Sequence, residues 1–129
     1  MVTVIFHNLQ QAECALAVAA GRPLTLLTAP WAGSYGGPGF YLAIVEAARQ
    51  RYPQTDVQAI LDCGDAAAVA QMALALGWRN LVLRGKASVR EKITQIAESY
   101  GAEVLSRPPK AFDPGAQATD ITVQLRTVF

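Results

Sequence analysis

Two sets of residues in this chain could do chemistry, and both fall where an apolar run gives way to a helical pattern. The first set is His7, Asp62 and Cys63, in the contexts Phe6-His7-Asn8 and Leu61-Asp62-Cys63-Gly64-Asp65. A thiol at a helix start can have a depressed pKa, and an imidazole within reach could take its proton, the nucleophile and base arrangement of thiol enzymes. The same residues also read as structure. Asp62 and Asp65 would repel a thiolate, cysteine is a small apolar residue suited to a core, and Asp65 is the natural N-cap of the alanine-rich run behind it. A lone histidine after a first strand serves equally as a hydrogen-bonded terminus residue. Asp62 has no such local duty.

The second set would hold an anion. Residues 29 to 40 read Ala-Pro-Trp-Ala-Gly-Ser-Tyr-Gly-Gly-Pro-Gly-Phe, a glycine-rich crossing from a strand to a helix. Gly36, Gly37 and Gly39 let the backbone approach a ligand closely, and Pro38 suits the first position of a helix. The N–H groups of Gly39 and Phe40 would then be unpaired beside Ser34, a helix start that attracts anions. Arg84, Lys86 and Arg107 follow later strands, and an arginine fork suits a phosphate or a carboxylate. Trp31 and Tyr35 could stack on a ring or simply cover the loop. The loop lacks the Lys-Ser/Thr pair of a P-loop and departs from a dinucleotide fingerprint at its third glycine. A connection that lets a helix pack closely explains the glycines as well.

These residues must be positioned by an alternation of strands and helices. Thr3–Phe6, Leu24–Thr28, Val57–Leu61, Leu81–Leu83 and Val104–Leu105 have the β-branched or apolar make-up of strands. Helical patterns cover Leu9–Ala20, Phe40–Arg51, Ala66–Leu76 and Val89–Tyr100. Asn8 with Gln11 and Ser88 with Glu91 have capping-box spacing, and Gly21, Gly77 and Gly101 each end a helix shortly before a strand. The rhythm predicts a single α/β domain over residues 1–129, with a doubly wound, mostly parallel five-stranded sheet. In outline it resembles flavodoxin-like or Rossmann-like domains, whose ligands lie beyond the carboxyl ends of the strands. Half of a βα barrel, completed by a partner, would show the same alternation. Residues 110–119 read as a loop or linker. Residues 120–129, where Ile121, Val123 and Leu125 alternate with Thr122, Gln124 and Arg126, read as an extra C-terminal edge strand. That strand would pair within the chain or across a homodimer.

Composition narrows the partners. A hydrophobic fraction of 52% with 16% charged residues excludes a disordered chain and points to a homo-oligomer. A net charge of +1, without a basic stripe or RNP-type motif, argues against nucleic acid. No apolar run approaches the roughly 20 residues that span a bilayer, and the first residues read as a strand, not as a signal peptide, so a cytoplasmic protein without a membrane partner is expected. Cys14, Cys63 and His7 make neither a disulfide framework nor a metal site, and no motif names a cofactor. The expected function is a small-ligand binding domain for an anion, with an enzyme on a phosphorylated or carboxylated metabolite as one form of it. The alternative is a non-catalytic interaction or oligomerisation module.

Overall fold

The computed structural model describes residues 2–129; Met1, at the head of the run read as a first strand, lies outside them. Strands β1 (Val2–Phe6), β2 (Pro23–Thr28), β3 (Asp56–Asp62), β4 (Asn80–Val82) and β5 (Glu103–Leu105) form a five-stranded parallel sheet in the order β1-β2-β3-β4-β5. Helices α1 (Leu9–Ala19), α2 (Ala32–Tyr35), α3 (Pro38–Arg51), α4 (Ala67–Leu76) and α5 (Ala87–Ser99) are interleaved with them, the wound α/β fold that the alternation predicts. Strand order follows chain order without a reversal. A half βα barrel has the same order.

Consecutive parallel strands joined by right-handed crossovers put their helices on one face of the sheet. The core has that form. Val4, Phe6, Leu24, Leu26, Leu61, Leu81 and Leu83 share one buried cluster with Ala12, Ala15 and Leu16 of α1, Val45 and Ala48 of α3, Ala70 and Leu74 of α4, and Ile93 and Ala97 of α5. The alanines let these helices lie close to the strands. Residues of the opposite parity, Ile5, Leu27, Ile60, Val82 and Leu105, form a second cluster together with Ala111. Leu27, Ile60 and Val82 are buried although this cluster draws on no helix. Their cover is the chain beyond β5. Phe112 lies beside β1 in parallel, accepting from the Ile5 N–H at 2.9 Å and donating to the Thr3 carbonyl at 2.9 Å. Residues 106–112 therefore strap the helix-free face from the β5 edge to the β1 edge.

The loop at 110–119 is accordingly a fixed one. Gln11, fully buried on α1, donates through Nε2 to the carbonyls of Gly115 and Ala118 at 2.9 Å each, and its Oε1 accepts from the His7 N–H at 2.9 Å. The C-terminal edge strand is not formed. Thr122–Arg126 is a short helix, α6, which sends Ile121 and Leu125 into the core beside α1 and leaves Val123 exposed. Ile121, Val123 and Leu125 fit a two-residue period, yet Ile121 and Leu125 alone also fit one helical turn, and burial selects the turn.

Helix ends follow the expected chemistry in part. Asn8 caps α1 by accepting from the Gln11 N–H at 2.9 Å, while the return bond from Gln11 goes to His7, one residue before the cap. Asp65 does not cap α4, which starts at Ala67 with Ala66 in the cap position and no side-chain bond. Ser88 likewise lies inside α5, whose cap position is Lys86. Gln11→Ala is expected to cost about 2–4 kcal/mol, because it leaves three part-buried backbone groups without their partner, and to speed hydrogen exchange at Ile5 and Phe112 as the strap loosens. Asp65→Ala is expected to stay within about 0.5 kcal/mol, the range of an ordinary surface change. Urea melts of the two variants check both statements.

Candidate functional site

The carboxyl ends of β2, β3 and β4 are joined by one carboxylate. Asp62 ends β3 on the helix-free face, two residues after Ile60, and its side chain is 1% exposed. Its Oδ1 accepts from Arg84 Nη1 at 2.6 Å, from the Gly64 N–H at 3.0 Å and from the Trp31 N–H at 3.2 Å. Its own N–H donates to Thr28 Oγ1 at 2.9 Å. A buried carboxylate needs such partners, since desolvation without them is costly. Arg84, two residues beyond Val82, keeps 29% of its side chain exposed. Its remaining guanidinium N–H groups make no hydrogen bond to the described residues.

Trp31 forms the wall of this cluster. Its backbone has a φ of 66°, a left-handed conformation uncommon for a bulky residue, and the bond from its N–H to Asp62 helps to hold it there. The indole lies against Gly64, where a Cβ would come within 2.1 Å of the ring, and Gly64 also has a φ of 62°. Glycine is required there on both counts. The Arg84 guanidinium sits 6.0 Å from the indole centroid, at the outer limit of a cation–π contact. Ser34 of α2 closes the group by donating to the Cys63 carbonyl at 3.1 Å.

The thiol of Cys63 points the other way. It is fully buried in the helix-side core, and burial, reinforced by the Asp62 charge, pushes its pKa up to about 12. A nucleophilic role needs a thiolate near neutral pH, and this environment opposes one. His7 pairs with Asp113, the residue that follows the strap, Nε2 to Oδ1 at 2.8 Å. Burial raises the Asp113 pKa, but the hydrogen bonds from His7 and the Gly115 N–H, with the charge of His7, outweigh it and hold this carboxyl below its usual range.

The first half of the glycine loop, with Trp31 and Ser34, belongs to the Asp62 cluster, and its second half, from Gly36 to Phe40, sits apart from Arg84. Pro38 does begin α3, with Gly37 at the cap position and a φ of 92°. Its carbonyl, however, accepts from Trp78 Nε1 at 3.0 Å, and Gly39 faces Leu76 at the C-terminal end of α4. That end of α4 leads into the start of β4, so it lies away from the carboxyl edge where Arg84 stands. Gly36 abuts the Tyr41 ring, and Phe40, 56% exposed, packs edge-on against Tyr41. Lys86 and Arg107 are exposed on the turns after β4 and β5. The structure thus brings Arg84 and Asp62 together with Trp31 and Gly64, and it joins His7 to Asp113. Asp113 carries no sequence signal for this role, being 106 residues from its partner.

Clefts lie elsewhere. One of about 510 Å³ runs along α5 beside Arg90 and Glu91, one of about 420 Å³ separates α1 from α6 and is lined by Arg22, Arg126 and Phe129, and one of about 310 Å³ lies at the amino edge beside Gly21 and Tyr52. Among the described residues, no cluster of His, Cys, Asp and Glu could hold a metal ion, and no helix is long and apolar enough to cross a membrane. Neither the models of known protein families nor the curated proteins contain a match to this chain. Fold and site define a wound α/β domain with an arginine–carboxylate–indole cluster at its carboxyl edge. Thiol labelling of the folded protein at pH 8 is expected to modify the partly exposed Cys14 and spare Cys63, whose thiolate fraction at that pH is about one in ten thousand for a pKa near 12. Mass spectrometry of the labelled peptides checks this, and Cys63 should react once urea unfolds the chain.

Proposed function

We propose that this protein is a small-ligand binding domain that holds an anion, the phosphate or carboxylate of a metabolite, against Arg84. One observation carries the proposal: a guanidinium tied by a single nitrogen to a buried carboxylate, beside a part-exposed indole, with its other donors left toward solvent. The Asp62 bond fixes the side chain before any ligand arrives, so less conformational entropy is lost on binding. Trp31 offers a flat apolar wall to the body of the ligand, and Lys86 on the same turn adds positive charge. The carboxyl edge of a parallel sheet is where loops converge on ligands. With Cys63 buried as a thiol, the support extends to binding and stops short of a reaction.

A second reading rests on a different surface. Phe40, Met72 and Leu76 are 56%, 55% and 48% exposed, and Gly39 brings the start of α3 against Leu76. Exposed apolar residues gathered in this way favour an interaction or oligomerisation module, with a second copy of the chain among its possible partners.

Thermal shift with inorganic phosphate and short carboxylates separates the two. A ligand present at a hundred times its dissociation constant is expected to stabilise the fold by about 2.7 kcal/mol. Arg84→Lys, which keeps a cation beside Asp62 and loses the fork, is expected to weaken binding about tenfold, the equivalent of one charge-assisted bond. Arg49→Lys, on α3 with its side chain on the Val57 carbonyl, should leave binding unchanged. Equal effects of both variants, or no stabilisation by any of these anions, would favour the interaction module.

A further inference from the structure

His7 ends on the same edge as Asp62, and the sheet register places it. Ile5 pairs with Leu27 and Leu27 with Ile60, so these three side chains stand in a row on the helix-free face. His7 and Asp62 each follow this row by two residues, and the intervening position is Ala29, a small residue. Two strand spacings separate them, about 10 Å. Asp113 accepts the bond from His7 Nε2, so in the neutral ring the proton belongs on Nε2 and the lone pair on Nδ1. Nδ1 has no hydrogen bond to the described residues, and the side chain keeps 16% of its surface exposed. An imidazole held by a carboxylate at one nitrogen keeps the other nitrogen available to a ligand as well as latching the strap.

We infer that His7 is the far anchor of the ligand site: the site takes an elongated anion whose head binds Arg84 and whose other end carries a second polar or anionic group for His7. This rests on the assignment of Arg84 as the anion-holding group. Asp113 acts as a positioning residue, setting the tautomer and direction of the ring. Neutral His7 accepts a hydrogen bond from a hydroxyl or a protonated acid, and protonated His7 pairs with a second carboxylate. The ligand body would cross the Ala29 position with Trp31 beside it. The class that matches is a metabolite with two acidic ends, or one acidic end and a distal hydroxyl, that reaches from His7 after β1 past Asp62 to Arg84 after β4, between two and three strand spacings.

The test is a series of α,ω-dicarboxylates of increasing length beside the monocarboxylates of equal length, titrated calorimetrically at pH 6 into the full chain. The wild type is expected to bind monocarboxylates with little dependence on length and one intermediate dicarboxylate about tenfold tighter, as a second charge-assisted contact provides. His7→Gln places an amide nitrogen where Nε2 was, so the bond to Asp113 and the strap are retained while Nδ1 is lost. It should erase the dicarboxylate maximum and leave monocarboxylate binding intact. Asp113→Asn should broaden the length preference, and Asp113→Glu should restore part of it, a recovery that loss of fold stability alone would not produce. Monocarboxylate binding without a dicarboxylate maximum, or a maximum that survives His7→Gln, would overturn the role of His7 and leave Arg84 in place. Absence of any carboxylate binding to the wild type would overturn both.

Discussion

Five parallel strands in chain order, joined by right-handed crossovers, leave one sheet face without helices, and the rest of this structure depends on how that face is covered. Ile5, Leu27, Ile60, Val82 and Leu105 stand on it. Each such side chain gains roughly 1.5–3 kcal/mol when fully removed from water. A single extended strap does the covering, and ordering its backbone costs about 1–2 kcal/mol per residue. Apolar contact along so thin a segment leaves little margin. Pins at its ends decide whether it stays: the pair of backbone bonds between Phe112 and β1, the His7–Asp113 bond, and Gln11, whose amide satisfies three backbone groups on two segments. A polar residue at the buried face of a helix is thereby explained. It is the fastener that lets the C-terminal segment replace a helix layer.

The same constraint shapes the site. On a face covered only by a strap, the carboxyl ends of β3 and β4 stay near solvent, so polar groups can stand there with partial burial. Asp62 is deep enough that its charge must be matched and shallow enough that its match, Arg84, still reaches water. The two bonds from backbone N–H groups at Trp31 and Gly64 bring the loop after β2 and the turn after β3 to the same oxygen. The turn geometry of three strands is thus referred to one atom. This gives the guanidinium a direction that a surface arginine lacks, and it keeps a tryptophan in a left-handed conformation that it would otherwise avoid.

Local patterns in the sequence were enough to place every strand and the four long helices to within a few residues, because glycine ends, apolar runs and the Asn8 cap act over a turn or less. Strand order was not legible, since periodicity says which face is apolar and nothing about neighbours. The tail departs from the strand its pattern predicts because Ile121, Val123 and Leu125 satisfy a strand period, while only the presence of α1 rewards the helical pair Ile121 and Leu125. Asp65 looked like a cap because it stands one residue before the true cap position. At the site, Asp62 is visible in the sequence as a residue without a local duty and Arg84 as an arginine at a strand end suited to an anion. Their pairing, the Trp31–Gly64 contact and the reach of Asp113 to His7 depend on tertiary neighbours that spacing cannot supply.

Anion binding to preorganised Arg84 donors, as proposed, is tested by a ¹⁵N-detected titration of the arginine side chains and backbone amides with inorganic phosphate. A saturable shift of the Arg84 Nε–Hε signal is expected, accompanied by the Trp31 indole and the Gly64 amide, with the Gly37 and Gly39 amides at the start of α3 unmoved. Saturable shifts at Gly37 and Gly39 with Arg84 silent would contradict it.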